Sequence, residues 1–139
     1  MPDSQLADKA WRAMAAVVFD NRDAWRRSVI ETTGLPFSRV RVLRRLAKRS
    51  MTAKEIAEVA SMDAPATSVA VSDLEDRGLV VRQADPTNRR CKVISLTERG
   101  REVVTAIDGL DDPAPPVFGA LSPSELQTLQ AILAKLTSH

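Results

Sequence analysis

From about Ser4 to Thr32, apolar residues recur every three or four positions: Leu6, Ala10, Ala13, Met14, Val17, Val18, Trp25 and Val29. That spacing lines one face of a long helix. No Pro or Gly interrupts it, and Gly34 stands where a C-terminal cap falls. Pro36 opens a second helix with Phe37, Val40, Leu43, Leu46 and Ala47 as its stripe. Thr52-Ala53-Lys54-Glu55 has the spacing of a capping box, and a short helix carrying Ile56, Ala57, Val59 and Ala60 follows. Ser61-Met62-Asp63 interrupts it. Asp63 then caps a helix running to Arg77, with Pro65 in its first turn and Thr67, Ala70, Val71 and Leu74 facing inward. Gly78 fits the position just beyond.

Two short helices with a three-residue break read as a helix-turn-helix. Two strands come next, about Val80–Gln83 and Lys92–Leu96, joined by the exposed loop Asp85–Arg90. The sum is a winged helix: mainly α with a small β-hairpin. Thr97 caps a helix through Ile107, which the run Asp111-Asp112-Pro113-Ala114-Pro115-Pro116 stops. A second capping box, Ser122-Pro123-Ser124-Glu125, starts the last helix, striped by Leu126, Leu129, Ile132, Leu133 and Leu136. The long first segment carries more apolar surface than one small domain covers, which makes it a candidate for subunit pairing.

Composition removes several function classes. Aromatic residues are only 4%, so the core is built from Leu, Val, Ile, Ala and Met, which suits helices. No apolar run reaches the ~18 residues of a membrane span. The start, MPDSQLADKAW, lacks the basic segment and apolar stretch of a secretory signal, so the expected location is cytoplasmic. Cys91 is the only cysteine and His139 the only histidine, which leaves too few ligands for a Cys/His zinc site and no positioned imidazole for a nucleophile. With no GxGxxG or Walker-type loop either, the expectation is no enzyme, no metal and no cofactor.

Charge is informative by region. Residues 36–101 hold 14 Lys/Arg against 8 Asp/Glu, a net of +6, and the remainder holds 6 against 10, a net of −4. A basic middle between acidic ends points to a polyanionic partner. The helix after Pro36 alone carries Arg39, Arg41, Arg44, Arg45, Lys48 and Arg49. Cations near a helix C-terminus favour the macrodipole, which accounts for the last few and not for six.

The chain resembles the MarR family of bacterial transcription regulators. The resemblance rests on Gly34-Leu35, on Met51-Thr52-Ala53-Lys54-Glu55-Ile56-Ala57, and on Leu74-Glu75-Asp76-Arg77-Gly78-Leu79-Val80. It continues through the wing, Asp85-Pro86-Thr87-Asn88-Arg89-Arg90, into Leu96-Thr97-Glu98-Arg99-Gly100, and reaches Leu121-Ser122-Pro123 with Glu125. It implies a single domain over 1–139, with 1–33 and 104–139 as dimerisation helices and 36–101 as the winged helix-turn-helix that binds DNA. It also implies a homodimeric repressor on a palindromic operator, released by a small, often aromatic or phenolic, effector. Three features depart from the family pattern. Asn88 replaces the usual Asp before the wing arginine, the helix from Asp63 has no basic residue before Arg77, and a Pro-rich break interrupts what is commonly one long helix.

Within that picture the expected partner is double-stranded DNA. Arg89 is the candidate for a narrow minor groove, where the negative potential is enhanced. Arg90 is a candidate for phosphate or for a stabilising pair, and Lys92 for a further phosphate. On the recognition helix Thr67, Ser68 and Ser72 offer hydroxyls, and Ala66 and Val69 fit thymine methyls. Thr52 and Lys54 sit at a helix N-terminus, a ready phosphate site. Cys91, beside the arginines, is read first as a bland small residue and second as a reactive thiol. Trp11, Met14, Phe19, Trp25 and Phe37 are read first as core and second as the lining of an effector pocket. The competing reading is a winged-helix protein-interaction module with weak or lost DNA binding, motivated by Asn88 and the non-basic recognition helix.

Overall fold

Local capping chemistry sets most helix starts. In the computed structural model, which describes residues 2–138, the order is α1 (Pro2–Asp20), α2 (Asp23–Thr33), α3 (Phe37–Leu46), β1 (Met51–Thr52), α4 (Ala53–Val59) and α5 (Ala64–Asp76). Then follow β2 (Val80–Ala84), β3 (Lys92–Leu96), α6 (Glu98–Asp108), a 3-10 helix (Pro116–Ala120) and α7 (Pro123–Thr137). Both capping boxes form, Thr52 with Glu55 and Ser122 with Glu125. Asp63 accepts from the Ala66 amide at 2.7 Å, and Thr97 from the Gly100 amide at 3.0 Å. Gly34 and Gly78 take φ of 68° and 77°, the left-handed geometry that favours glycine after a helix. His139 lies outside the described residues.

Three expectations need correction. The single helix from Ser4 to Thr32 is broken at Asn21-Arg22. The Asn21 amide donates to the Val18 carbonyl at 3.2 Å and its side chain to the Val17 carbonyl at 2.7 Å, so α1's last turn is closed locally. The hairpin is part of a three-stranded antiparallel sheet ordered β1-β3-β2, because Met51 and Thr52 pair with Ile94 and Val93. On α3, Ala47 is exposed and Val42 is fully buried. The helix is packed by α2, α4, α5, α6 and β3, which demands a wider apolar arc than one stripe. The Pro-rich run does follow the end of α6, as expected, and a 3-10 helix (Pro116–Ala120) comes before α7.

One core unites Val29 of α2, Val40, Leu43 and Leu46 of α3, Ile56 of α4, Val71 and Leu74 of α5, Ile94 of β3, and Val104 and Ile107 of α6. The segments 1–33 and 104–139 therefore do not part from the winged helix by packing, since α2 and α6 both enter its core. By contrast, α1 and α7 make no substantial contact with another element. Their apolar residues stay open, with Leu6 at 68%, Trp11 at 69%, Phe19 at 65% and Leu136 at 61% exposure.

Candidate nucleic-acid interface

The outer face of α5 is polar and small. Ala66, Ser68, Val69 and Ser72 are exposed, with Val69 at 61%. Thr67 is the exception among the candidates. It is only 1% exposed, and its hydroxyl donates to the Asp63 carbonyl at 2.8 Å. It belongs to the buried row with Ala70, Val71 and Leu74 and offers nothing to a ligand. Arg39 and Arg77 both donate to the Asp73 carboxylate at 3.1 Å, which ties α3 to α5 and consumes two cations near the face.

A cleft of about 350 Å³ opens between the start of α4, α5 and the sheet. Thr52, Ala53, Lys54, Ser68, Val71, Arg82, Cys91, Lys92 and Ile94 line it. Four of the DNA-contact candidates from the sequence, Thr52, Lys54, Ser68 and Lys92, meet there, with Cys91 beside them. Arg82 joins them unanticipated. Its register opposite Ile94 on β3 turns it toward α5, and its guanidinium donates to the Ser72 hydroxyl at 3.0 Å. The available signal was the alternation Val80-Val81-Arg82, which puts Arg82 on the same side of the strand as buried Val80.

Thr52 is already engaged. Its hydroxyl accepts from the Glu55 amide and donates to Glu55 Oε1, both at 3.2 Å. Arg49 donates to Glu55 Oε2 at 2.7 Å. The Arg49 bond first, then the Thr52 amide, hold the Glu55 carboxyl below its ordinary range. Lys54 is exposed and, among the described residues, in no ion pair.

Backbone bonds shape the wing tip. The Asp85 amide donates to the Cys91 carbonyl at 2.9 Å, and the Cys91 amide to the Asn88 carbonyl at 3.0 Å. Asp85 Oδ1 accepts from the Thr87 amide at 2.9 Å and the Thr87 hydroxyl at 2.8 Å. These bonds, the amide first, lower the Asp85 pKa. Asn88 does not reach the Arg89 guanidinium; its side-chain oxygen accepts the Arg90 amide at 3.2 Å. An amide thus organises the tip's backbone, and Arg89 and Arg90 stand exposed and, among the described residues, in no ion pair. Cys91 is half-buried, and its sulfur accepts from the Asn88 side-chain Nδ2 at 3.5 Å.

Acid should loosen this face. Asp85, Asp73 and Glu55 all ionise more readily folded than unfolded. Their contribution is complete above the ordinary values, 3.8 for Asp and 4.5 for Glu, and is lost as pH falls through the lower folded values. Amide exchange at Thr87 and Cys91, followed from pH 7 down to about 3 and corrected for intrinsic rates, should show falling protection. Asp85→Asn should flatten that profile, because an amide oxygen accepts the same bonds without titrating.

The aromatic candidates separate. Trp25 and Phe37 pack edge to face with centroids 5.8 Å apart, and Arg22 lies 4.1 Å over Trp25. Arg22 also pairs with Asp112 at 2.7 Å, fastening the Pro-rich break to the α1–α2 joint. Trp11, Met14 and Phe19 stay on the open face of α1. Trp25 lines a cleft of about 410 Å³ with Asp20, Asp23, Asp112 and Pro113–Pro116. Among the described residues no three His, Cys, Asp or Glu side chains are grouped to hold a metal ion, and no helix is long and apolar enough to cross a membrane.

Residues 33–90 match the MarR family. The fold is similar to wild-type MarR from E. coli, with a TM-score of 0.75 at 21% identity, covering 91% of this chain and 95% of that one. It is also similar to a mutant MepR from a multidrug-resistant S. aureus clinical isolate, with a TM-score of 0.70 at 22% identity, covering 90% and 93%. A mutant E. coli MarR complexed with operator DNA matches at 0.65 and 22% identity, covering 91% of each chain. By its family match over 33–90 and its architecture over nearly the whole length, this chain has the fold of the MarR-family transcriptional regulators.

Proposed function

We propose that the protein is a homodimeric transcription regulator that binds double-stranded DNA in the cytoplasm and represses by occupying a palindromic operator. The observation that carries this reading is the cleft where Lys54, Arg82 and Lys92 surround Ser68 beside the open face of α5. Arg89 and Arg90 extend the same positive surface along the wing. In this reading Ala66, Ser68, Val69 and Ser72 meet base edges in the major groove. Lys54, Arg82, Arg90 and Lys92 hold phosphates, and Arg89 enters the minor groove. Thr52, whose amide and hydroxyl both donate to Glu55, serves the capping box instead. The open apolar faces of α1 and α7 support pairing with a second copy, since a monomer rarely leaves such surface to water. A two-fold dimer reads a two-fold site, which is why a palindrome is expected. The cleft beside Trp25 is where a small aromatic or phenolic effector would act on the joint between the arms and the winged helix.

Selection of bound fragments from genomic DNA tests the reading. Enriched fragments should share an inverted repeat whose half-sites lie about one helical turn apart, or a multiple of it. Absence of any enriched site, with the dimer intact, would favour the protein-interaction module instead. A screen for compounds that release the enriched fragment then tests the effector.

A further inference from the structure

We infer that the outer face of α3 is a second DNA contact, gripping backbone phosphates that flank the segment met by α5 and the wing. This rests on the DNA-binding reading above. Arg41, Arg44, Arg45 and Lys48 follow the i, i+3, i+4, i+7 rule and lie exposed, opposite the buried Val40, Val42, Leu43 and Leu46. Two carboxylates beside α3 are engaged with other cations, Asp73 with Arg39 and Arg77, and Glu55 with Arg49. Asp108 faces the stripe without an ion pair among the described residues. Among the described residues the four stripe cations pair with none. The macrodipole accounts for Arg44 and Arg45 in the last turn, and not for Arg41 in the helix middle.

Geometry makes the stripe continuous with the recognition surface. Arg41 lines two clefts. One, of about 670 Å³, holds Met62, Asp63, Pro65, Ala66 and Val69 at the start of α5. The other, of about 380 Å³, lies between α3 and α6 and holds Arg44, Arg45, Lys48 and Asp108. From Arg41 to Arg45 α3 rises ~6 Å, and Lys48 continues the row in the turn just past Leu46, a span of roughly two to three nucleotides of one strand at ~3.4 Å each. The second cleft has one carboxylate against four cations, and its apolar lining is Ala47 and the buried Val104. It lacks the aromatic anchors that the core of a protein interface favours. Charge without apolar anchorage fits a phosphate backbone better than an acidic protein.

The test compares two duplexes carrying the same selected site, one trimmed to the protected core and one extended by about ten base pairs on each side, a further helical turn. Wild type should bind the extended duplex more tightly and with a steeper salt dependence. Arg45→Ala/Lys48→Ala should lose that increment, its log–log salt slope on the extended duplex falling by about 0.9 per phosphate contact removed. Its affinity for the trimmed duplex should not change. Arg45→Lys/Lys48→Arg, which keeps the charge, should behave as wild type. Equal behaviour of the alanine variant and wild type on both duplexes would overturn the inference while leaving the DNA-binding reading intact. Equal loss on both duplexes would also overturn it, by placing the stripe inside the core contact. Wild type binding neither duplex would sink both.

Discussion

Gly100→Ala should destabilise the fold by about 3 kcal/mol, at the upper end of the overpacking range. Two effects oppose each other. Gly100 lies in the first turn of α6 with ordinary helical backbone, where alanine is intrinsically favoured by about 1 kcal/mol. Against that, an added Cβ would fall far inside van der Waals distance of the Leu79 carbonyl oxygen, 3.1 Å from its carbon and 3.3 Å from Leu96 Cδ2. The Leu79 carbonyl cannot simply swing away. It accepts the Thr97 amide at 3.0 Å, and the neighbouring Gly78 carbonyl accepts the Thr97 hydroxyl at 2.7 Å. The clash therefore wins, and the joint between β2 and α6 must open. Thermal unfolding should fall by roughly 10 °C for a chain of this size. Gly109→Ala is the control: its Cβ would meet the Thr105 carbonyl oxygen at 3.4 Å, an ordinary contact. That variant should stay within about 0.5 kcal/mol of the parent.

Arg89→Ala should lower dimer affinity for the selected operator about 10²- to 10⁴-fold, the worth of two charge-assisted contacts, one per protomer, at ~1.5–3 kcal/mol each. Stability should not move. The guanidinium is exposed, and the tip is held by Asp85, Asn88 and Cys91 backbone bonds that the substitution leaves in place. Arg89→Lys should recover only part of the loss, because a compact ammonium fits a narrow groove less well than a planar guanidinium. Titration of a labelled duplex at fixed salt, alongside thermal unfolding, reads both quantities. Full affinity in Arg89→Ala would remove the wing from the contact.

The elements that local chemistry decides were legible in the sequence. Thr52 with Glu55, Asp63 with Pro65, and Ser122 with Glu125 mark helix starts that need no more than four consecutive residues to form. The break at Asn21 was not, because no Pro or Gly announces it and the closing bonds come from an asparagine side chain. A two-residue strand such as Met51–Thr52 is too short to show a period, and only its partner Ile94–Val93 reveals it. Thr67 shows how residue type can mislead. Its place in the inward row with Ala70, Val71 and Leu74 was visible, but the partner that makes a buried hydroxyl acceptable is a backbone carbonyl. Arg82 became visible as part of the candidate site only when strand register set it across from α5. The paired arginines of the wing were the strongest sequence signal. Their exposure fits that reading, and Asn88 turns out to order the backbone at the tip instead of the arginine beside it.

The most direct measurement is the salt dependence of wild-type binding to its selected duplex. If Lys54, Arg82, Arg89, Arg90 and Lys92 meet DNA, log affinity should fall linearly with log salt, at about 0.9 per phosphate neutralised. Five such residues per protomer, not all on phosphate, give a slope of roughly −5 or steeper for a dimer. Affinity should then drop at least about 10³-fold between ~50 and ~200 mM salt. A slope near zero, or no binding at the lowest salt, would contradict the account.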